Sequence, residues 1–213
     1  MERSLAELEM ALAEAVHRAK NDLQAVTAML RLQASAVTQP VVRAALIDAE
    51  ARVHALASLN ARLDAGAQGV ESMIDSVIFL EGLATDIRGM HFGEQRPVVL
   101  DVRAESHRIA TLQGKPLGLI LNELVVNALK YAFPDARPGT VHIDFRCRDG
   151  EYVLVVTDDG IGIDLAAPPQ GTGLGKRLVR ALTVQIGGVS DIRSGKDGGT
   201  ICTIRWPAAG PNA

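Results

Sequence analysis

This sequence of 213 residues has no excess of basic charge: 22 lysines and arginines stand against 25 aspartates and glutamates, a formal net charge of −3, and no dense basic run occurs. That removes the electrostatic footing for nucleic acid or an anionic membrane surface, and neither partner is expected. Long apolar runs are also missing. The stretch from Leu117 to Val126 is far shorter than the ~20 residues that span a bilayer, and Asn122 and Glu123 interrupt it. The N-terminus opens on Glu2 and Arg3 with no apolar signal-peptide core, so a cytoplasmic protein without membrane insertion is expected. Cysteine is scarce. Cys147 and Cys202 each sit among alternating apolar residues, which suits reduced, half-buried thiols better than a metal site or redox pair. What is present is an apolar fraction of 47%, ample for a packed core in one large domain or two small ones.

Apolar or small residues recur in steps of three and four from Leu5 through Leu8, Leu12, Ala15 and Ala19, then Leu23, Val26 and Leu30, the pattern of a long amphipathic helix. Thr38-Gln39-Pro40 breaks it, and a second stripe follows through Val42, Leu46, Ala49, Val53, Leu56 and Leu63. The two form a helical hairpin. Its leftover apolar surface is covered either by a second copy, giving a four-helix bundle, or by the rest of its own chain. Asp64-Ala65-Gly66-Ala67-Gln68-Gly69 marks the boundary between a domain over 1–66 and one over 67–213. Beyond it the spacing predicts a helix from Met73 to Ile87, a strand from Pro97 to Val102 and a helix from Pro116 to Phe133. Val141, Ile143, Phe145 and Cys147 alternate with polar residues as a half-buried strand does. A strand from Tyr152 to Thr157, a helix from Gly175 to Ile186 and a hairpin of Val189–Arg193 with Thr200–Trp206 complete an α+β sandwich, with Pro207 to Ala213 as a frayed tail.

If Leu12, Ala15 and Ala19 hold the a, d and a positions, His17 falls at f, furthest from the seam, and Glu14, Asn21 and Gln24 share its outer stripe. An exposed imidazole that titrates near ~6.5 is a usable nucleophile, though an ordinary surface histidine fits the same pattern. Glu123 and Asn127, four apart, project from one helix face and offer hard oxygens to magnesium, or form a solvated polar edge. Asp158-Asp159-Gly160-Ile161-Gly162 ends a strand on a sharp turn, where a carboxylate can accept a hydrogen bond from an exocyclic amino group. Gly171-Thr172-Gly173-Leu174-Gly175 precedes a helix whose free amides favour phosphate, or makes a plain flexible turn.

His-Arg-x-Lys-Asn-x-Leu-Gln, from His17 to Gln24, resembles the phosphoacceptor helix of sensor histidine kinases in the subfamily related to the HWE kinases. The segments around Asn127, Asp158 and Gly171, in that order, resemble the asparagine box and the two glycine boxes of the ATPase superfamily shared by gyrase, heat-shock chaperones, mismatch-repair proteins and histidine kinases. The Trp-x-Glu signature of strict HWE kinases is absent, and the sister group with Asp-Asp-Gly-x-Gly fits better. The resemblance implies a histidine autokinase that moves the γ-phosphate of ATP to His17 and then to an aspartate on a response regulator's receiver domain, with regulator phosphatase activity in many relatives. It implies Asn127 as the principal magnesium ligand, Glu123 near the metal or its water, and Lys130 near the phosphates. Asp158 would contact adenine, with Gly160 and Gly162 shaping that pocket and Thr200 supporting it, while Gly171, Gly173, Leu174 and Gly175 belong to the phosphate loop. Only eight residues, Ile163 to Gln170, separate the glycine boxes, so a short lid is expected. Many such kinases carry an acid directly after the histidine. Arg18 stands there in this chain, and Glu14, one turn back on the same face, is the candidate to orient the imidazole or take its proton. An adapter that no longer turns over ATP, or a serine kinase of the anti-sigma type, are the rival readings. A homodimer through the hairpin is expected, and because the chain opens almost at its first helix, sensing is expected to fall to another protein or to a longer kinase of which this is a part.

Overall fold

A computed structural model describes residues 2–66, 73–91, 97–163, 173–196 and 198–208, and the chain divides into two compact units, Met1–Ala61 and Arg62–Ala213. The first holds α1 (Glu2–Ala36) and most of α2 (Pro40–Gly66). Pro40 takes the first helical position, where its fixed φ suits the helix and its missing N–H costs nothing. The hairpin is tied across the turn. Arg43 donates to the carbonyl of Val37 at 2.9 Å, and Arg31 Nε donates to Glu50 Oε1 at 2.8 Å. The inward line of α1 runs through Leu23, Thr27, Leu30 and Ala34. Val26, expected on that line, is instead 44% exposed, and Met29, Leu32, Val42 and Ile47 are exposed too.

In the second unit a small antiparallel pair, β1 (Met73–Asp75) with β3 (Arg108–Ala110), sits beside a five-stranded sheet. That sheet has the order β2 (Val98–Ala104), β4 (Gly139–Arg148), β5 (Glu151–Asp158), β7 (Thr200–Pro207), β6 (Val189–Ser194), parallel only between β2 and β4. Three helices, α3 (Ser76–His91), α4 (Thr111–Tyr131) and α5 (Leu174–Gln185), complete the unit. Period-two alternation is realised as expected: Val141, Ile143, Phe145, Leu154, Val156, Ile204 and Trp206 are buried, while His142 and Arg148 face solvent. Leu117, Ile120, Leu121 and Val125 of α4 are fully buried and supply the helical side of the core. Phe145, Tyr152 and Trp206 meet with ring centroids 5.5–5.9 Å apart.

The starts of α3 and α4 differ from expectation. The helix expected from Met73 begins at Ser76, because Asp75 Oδ1 accepts the amides of Val77 (2.9 Å) and Ile78 (3.1 Å) and caps α3 there, leaving the three residues before to pair with β3. Helix α4 starts at Thr111 and carries Pro116 inside it. The missing amide of Pro116 would have served the carbonyl of Leu112, a residue 86% exposed, so water can satisfy that carbonyl. Cys147 is half-buried and Cys202 buried, both as free thiols. Of the tail expected to fray from Pro207, Pro207 in β7 instead pairs with Glu151 and Ala208 donates to the carbonyl of Gly150 at 2.9 Å, while 209 onward lies outside the described residues.

Candidate active site

Helix α4 presents Glu123, 5% exposed, and Asn127, half-buried, one turn apart on one face; Lys130 is exposed in the last turn. Asn122 beside them is 2% exposed, and its Oδ1 has no hydrogen-bond partner among the described residues. Among the described residues no group of three or more His, Cys, Asp or Glu could enclose a metal. Glu123 and Asn127 nevertheless fit the way magnesium is usually held, by one or two protein oxygens with the rest of its shell from phosphates and water.

The strand end opposite is built around Asp158. Its side chain is 6% exposed, and Oδ1 accepts the amides of Gly160 at 3.1 Å and Thr200 at 3.2 Å, with the Thr200 hydroxyl adding a further bond. Burial pushes the carboxyl above its ordinary value, because desolvation of the charge outweighs these donors. The turn after it is pinned to the end of α4. The amide of Ile161 donates to the carbonyl of Ala132 at 3.0 Å, and a Cβ on Gly160 would stand 2.3 Å from that oxygen. Gly199 closes the other side: its amide reaches the carbonyl of Gly160 at 2.9 Å, its φ is +75°, and a Cβ there would stand 1.9 Å from the carbonyl of Asp158. Asp159 turns away and accepts the amide of Thr140 at 2.8 Å, holding the strand end to β4. Gly162 has φ +81°. Asp158, Gly160, Gly162 and Thr200 are thus one assembly. Asp159, inside the quoted motif but given no role there, belongs to it through Thr140, and so does Ala132, which lies outside every motif.

Gly173 caps the N-terminus of α5 with φ +65°, Leu174 opens the helix 49% exposed, and Gly175 follows in its first turn. Gly171 and the segment from 164 to 172, which includes nearly all of the expected lid, lie outside the described residues. His17 is in α1, and its side chain is likewise outside the description. One turn before it, Glu14 Oε1 lies 3.4 Å from Arg18 Nη2, both side chains about two-thirds exposed. The two groups raised by the missing acid therefore face each other.

Residues 113–210 match the family of histidine kinase-, DNA gyrase B- and HSP90-like ATPases, and residues 14–91 match a family described as histidine kinase. The blue-light-activated histidine kinase 2 of Erythrobacter litoralis is 32% identical over 94% of this chain and 58% of its own length. Sensor histidine kinase PdtaS of Mycobacterium tuberculosis is 29% identical over 97% of this chain and 41% of its own. This chain therefore spans between about two-fifths and three-fifths of those curated relatives. The solved histidine kinase domain of the Erythrobacter litoralis EL346 blue-light-activated kinase superposes with a TM-score of 0.65 at 28% identity, covering 96% of this chain and 94% of that one.

Proposed function

This chain belongs to the histidine kinase family, and from that premise we propose that it is an ATP-dependent autokinase of a two-component system, with His17 as phosphoacceptor. The observation that carries the reading is the buried Asp158 carboxylate, held by Gly160 and Thr200 in a turn hydrogen-bonded to the end of the helix that bears Glu123 and Asn127. Asp158 accepts the adenine amino group, and the Gly173 to Gly175 turn offers amides to phosphate. Asn127 and Glu123 would hold magnesium, whose charge offsets that developing on the γ-phosphoryl group. A ring nitrogen of His17 forms the new bond to the γ-phosphorus, the bond to the β,γ-bridging oxygen breaks, ADP leaves, and the imidazole proton passes to a base for which Glu14 is the candidate. Because Glu14 faces Arg18, its availability depends on that exposed pair opening. The phosphoryl group then passes to an aspartate carboxylate on a receiver domain docked on the same helical face, and regulator dephosphorylation can use the same surface.

A second copy covers the exposed Met29, Leu32, Val42 and Ile47 in a four-helix bundle. No described helix is long and apolar enough to cross a membrane. A match over 14–91 favours a histidine kinase over an anti-sigma-type serine kinase, and intact Asn127 and Asp158 favour an enzyme over an adapter. His17→Ala should abolish label from γ-labelled ATP and leave nucleotide binding intact. Label persisting on another residue would overturn the assignment.

A further inference from the structure

Two helix-interior glycines of the nucleotide-binding unit receive side chains from the last turns of α2. Arg62 lies across α3 at Gly82: Nε donates to Asp86 Oδ2 at 2.6 Å, and Nη2 donates to Asp86 Oδ1 at 2.6 Å and to the carbonyl of Gly82 at 2.8 Å. A Cβ on Gly82 would stand 2.3 Å from Arg62 Nη1, so the guanidinium occupies the space that any other residue would fill. The pair is largely withdrawn from solvent, at 34% and 26% side-chain exposure, and the carboxylate raises the guanidinium's proton affinity. Leu63, 1% exposed, packs the same way on Gly114 of α4, with its Cδ2 2.9 Å from where a Cβ would be. Glycine weakens a helix interior, so both positions are explained by what they admit rather than by the helices that contain them.

These contacts make Arg62 and Leu63 part of the second unit, and Leu63 touches the helix whose other end bears Glu123 and Asn127. We propose that Arg62, seated at Gly82 and paired with Asp86, is a positioning residue for phosphoryl transfer, fastening the last turn of α2 onto α3. The proposal rests on the autokinase reading above. Phosphoryl transfer depends on orientation, and small misplacements far from the reacting atoms slow it steeply. Releasing the latch therefore lowers the rate of transfer to His17 and leaves nucleotide affinity as it was.

Gly82→Ala is the decisive variant, because alanine is the better helix former and the substitution displaces only the tip of a flexible side chain. In the full chain, at saturating ATP, Gly82→Ala and Arg62→Ala should each slow labelling of His17 by roughly an order of magnitude. Dissociation constants for ATP should stay within about twofold of the parent, and the double variant should be no slower than Arg62→Ala alone, since both remove the same contact. An unchanged labelling rate in Gly82→Ala overturns the proposal. So does a loss of ATP affinity that matches the loss of rate, which would place the effect in the nucleotide site itself. Failure of the autokinase reading is separately visible as absence of label on the parent chain, or its survival in His17→Ala.

Discussion

Gly160→Ala puts one methyl group where the structure has no space for it. The new Cβ would stand 2.3 Å from the carbonyl oxygen of Ala132 and 2.4 Å from its Cβ, against an ordinary contact of 3.4–4 Å, and the nearest obstacle is backbone that no rotamer change can clear. The turn must move by about 1 Å, which strains a well-packed site by about 1–3 kcal/mol. The same movement breaks the Ile161 to Ala132 hydrogen bond and lengthens the Gly160 to Asp158 bond, adding about 1 kcal/mol. A loss of about 2–4 kcal/mol is a large share of the stability of an ordinary domain. Trp206, the single tryptophan and fully buried, reports it directly through fluorescence in urea unfolding. Since Asp158 is displaced as well, affinity for ATP should fall by about tenfold or more, corresponding to about 1.4 kcal/mol. Gly89→Ala is the matched control, in open space on α3, and should stabilise by up to about 1 kcal/mol. A Gly160→Ala protein with parental unfolding midpoint and parental nucleotide affinity would refute the close approach on which the site's geometry depends.

Glu105, beside Arg148 and the amide of Cys147, has its carboxyl lowered from 4.5 to about 2. A depressed carboxyl stabilises the fold fully above its unfolded value and loses that contribution as pH falls toward 2. The gap in urea midpoint between parent and Glu105→Gln should therefore be widest above pH 4.5 and close toward pH 2; a gap independent of pH would exclude the ionic origin. Burial pushes the Cys202 thiol up to about 12, so with an aromatic disulfide reagent at neutral pH it should react only as fast as the protein unfolds. Prompt native-state labelling of both cysteines would contradict that burial.

Periodicity made most of the elements legible. The alternation from Val141 to Cys147 and the steps of three and four along α1, α2 and α4 act within a few residues, and local spacing is what sets which face meets the core. Three-residue β1 and β3 carry too little pattern to be seen, and they exist because Met73–Asp75 finds Arg108–Ala110 across some thirty intervening residues. The spacing predicts α4 from Pro116, whereas the helix begins five residues earlier at Thr111 and carries the proline inside it.

The amino-acid sequence by itself determined the histidine on a helix, the paired oxygens four residues apart and the order of the glycine-rich turns, because each is a matter of residue type and short spacing. Only the tertiary structure decided that the turn after Asp158 hydrogen-bonds the end of α4 at Ala132, that Gly199 closes over it, and that Arg62 seats against Gly82 and Asp86. Those contacts join residues 20 to 41 positions apart through backbone carbonyls, one side-chain ion pair and the absence of a Cβ, and none of these leaves a pattern along the chain.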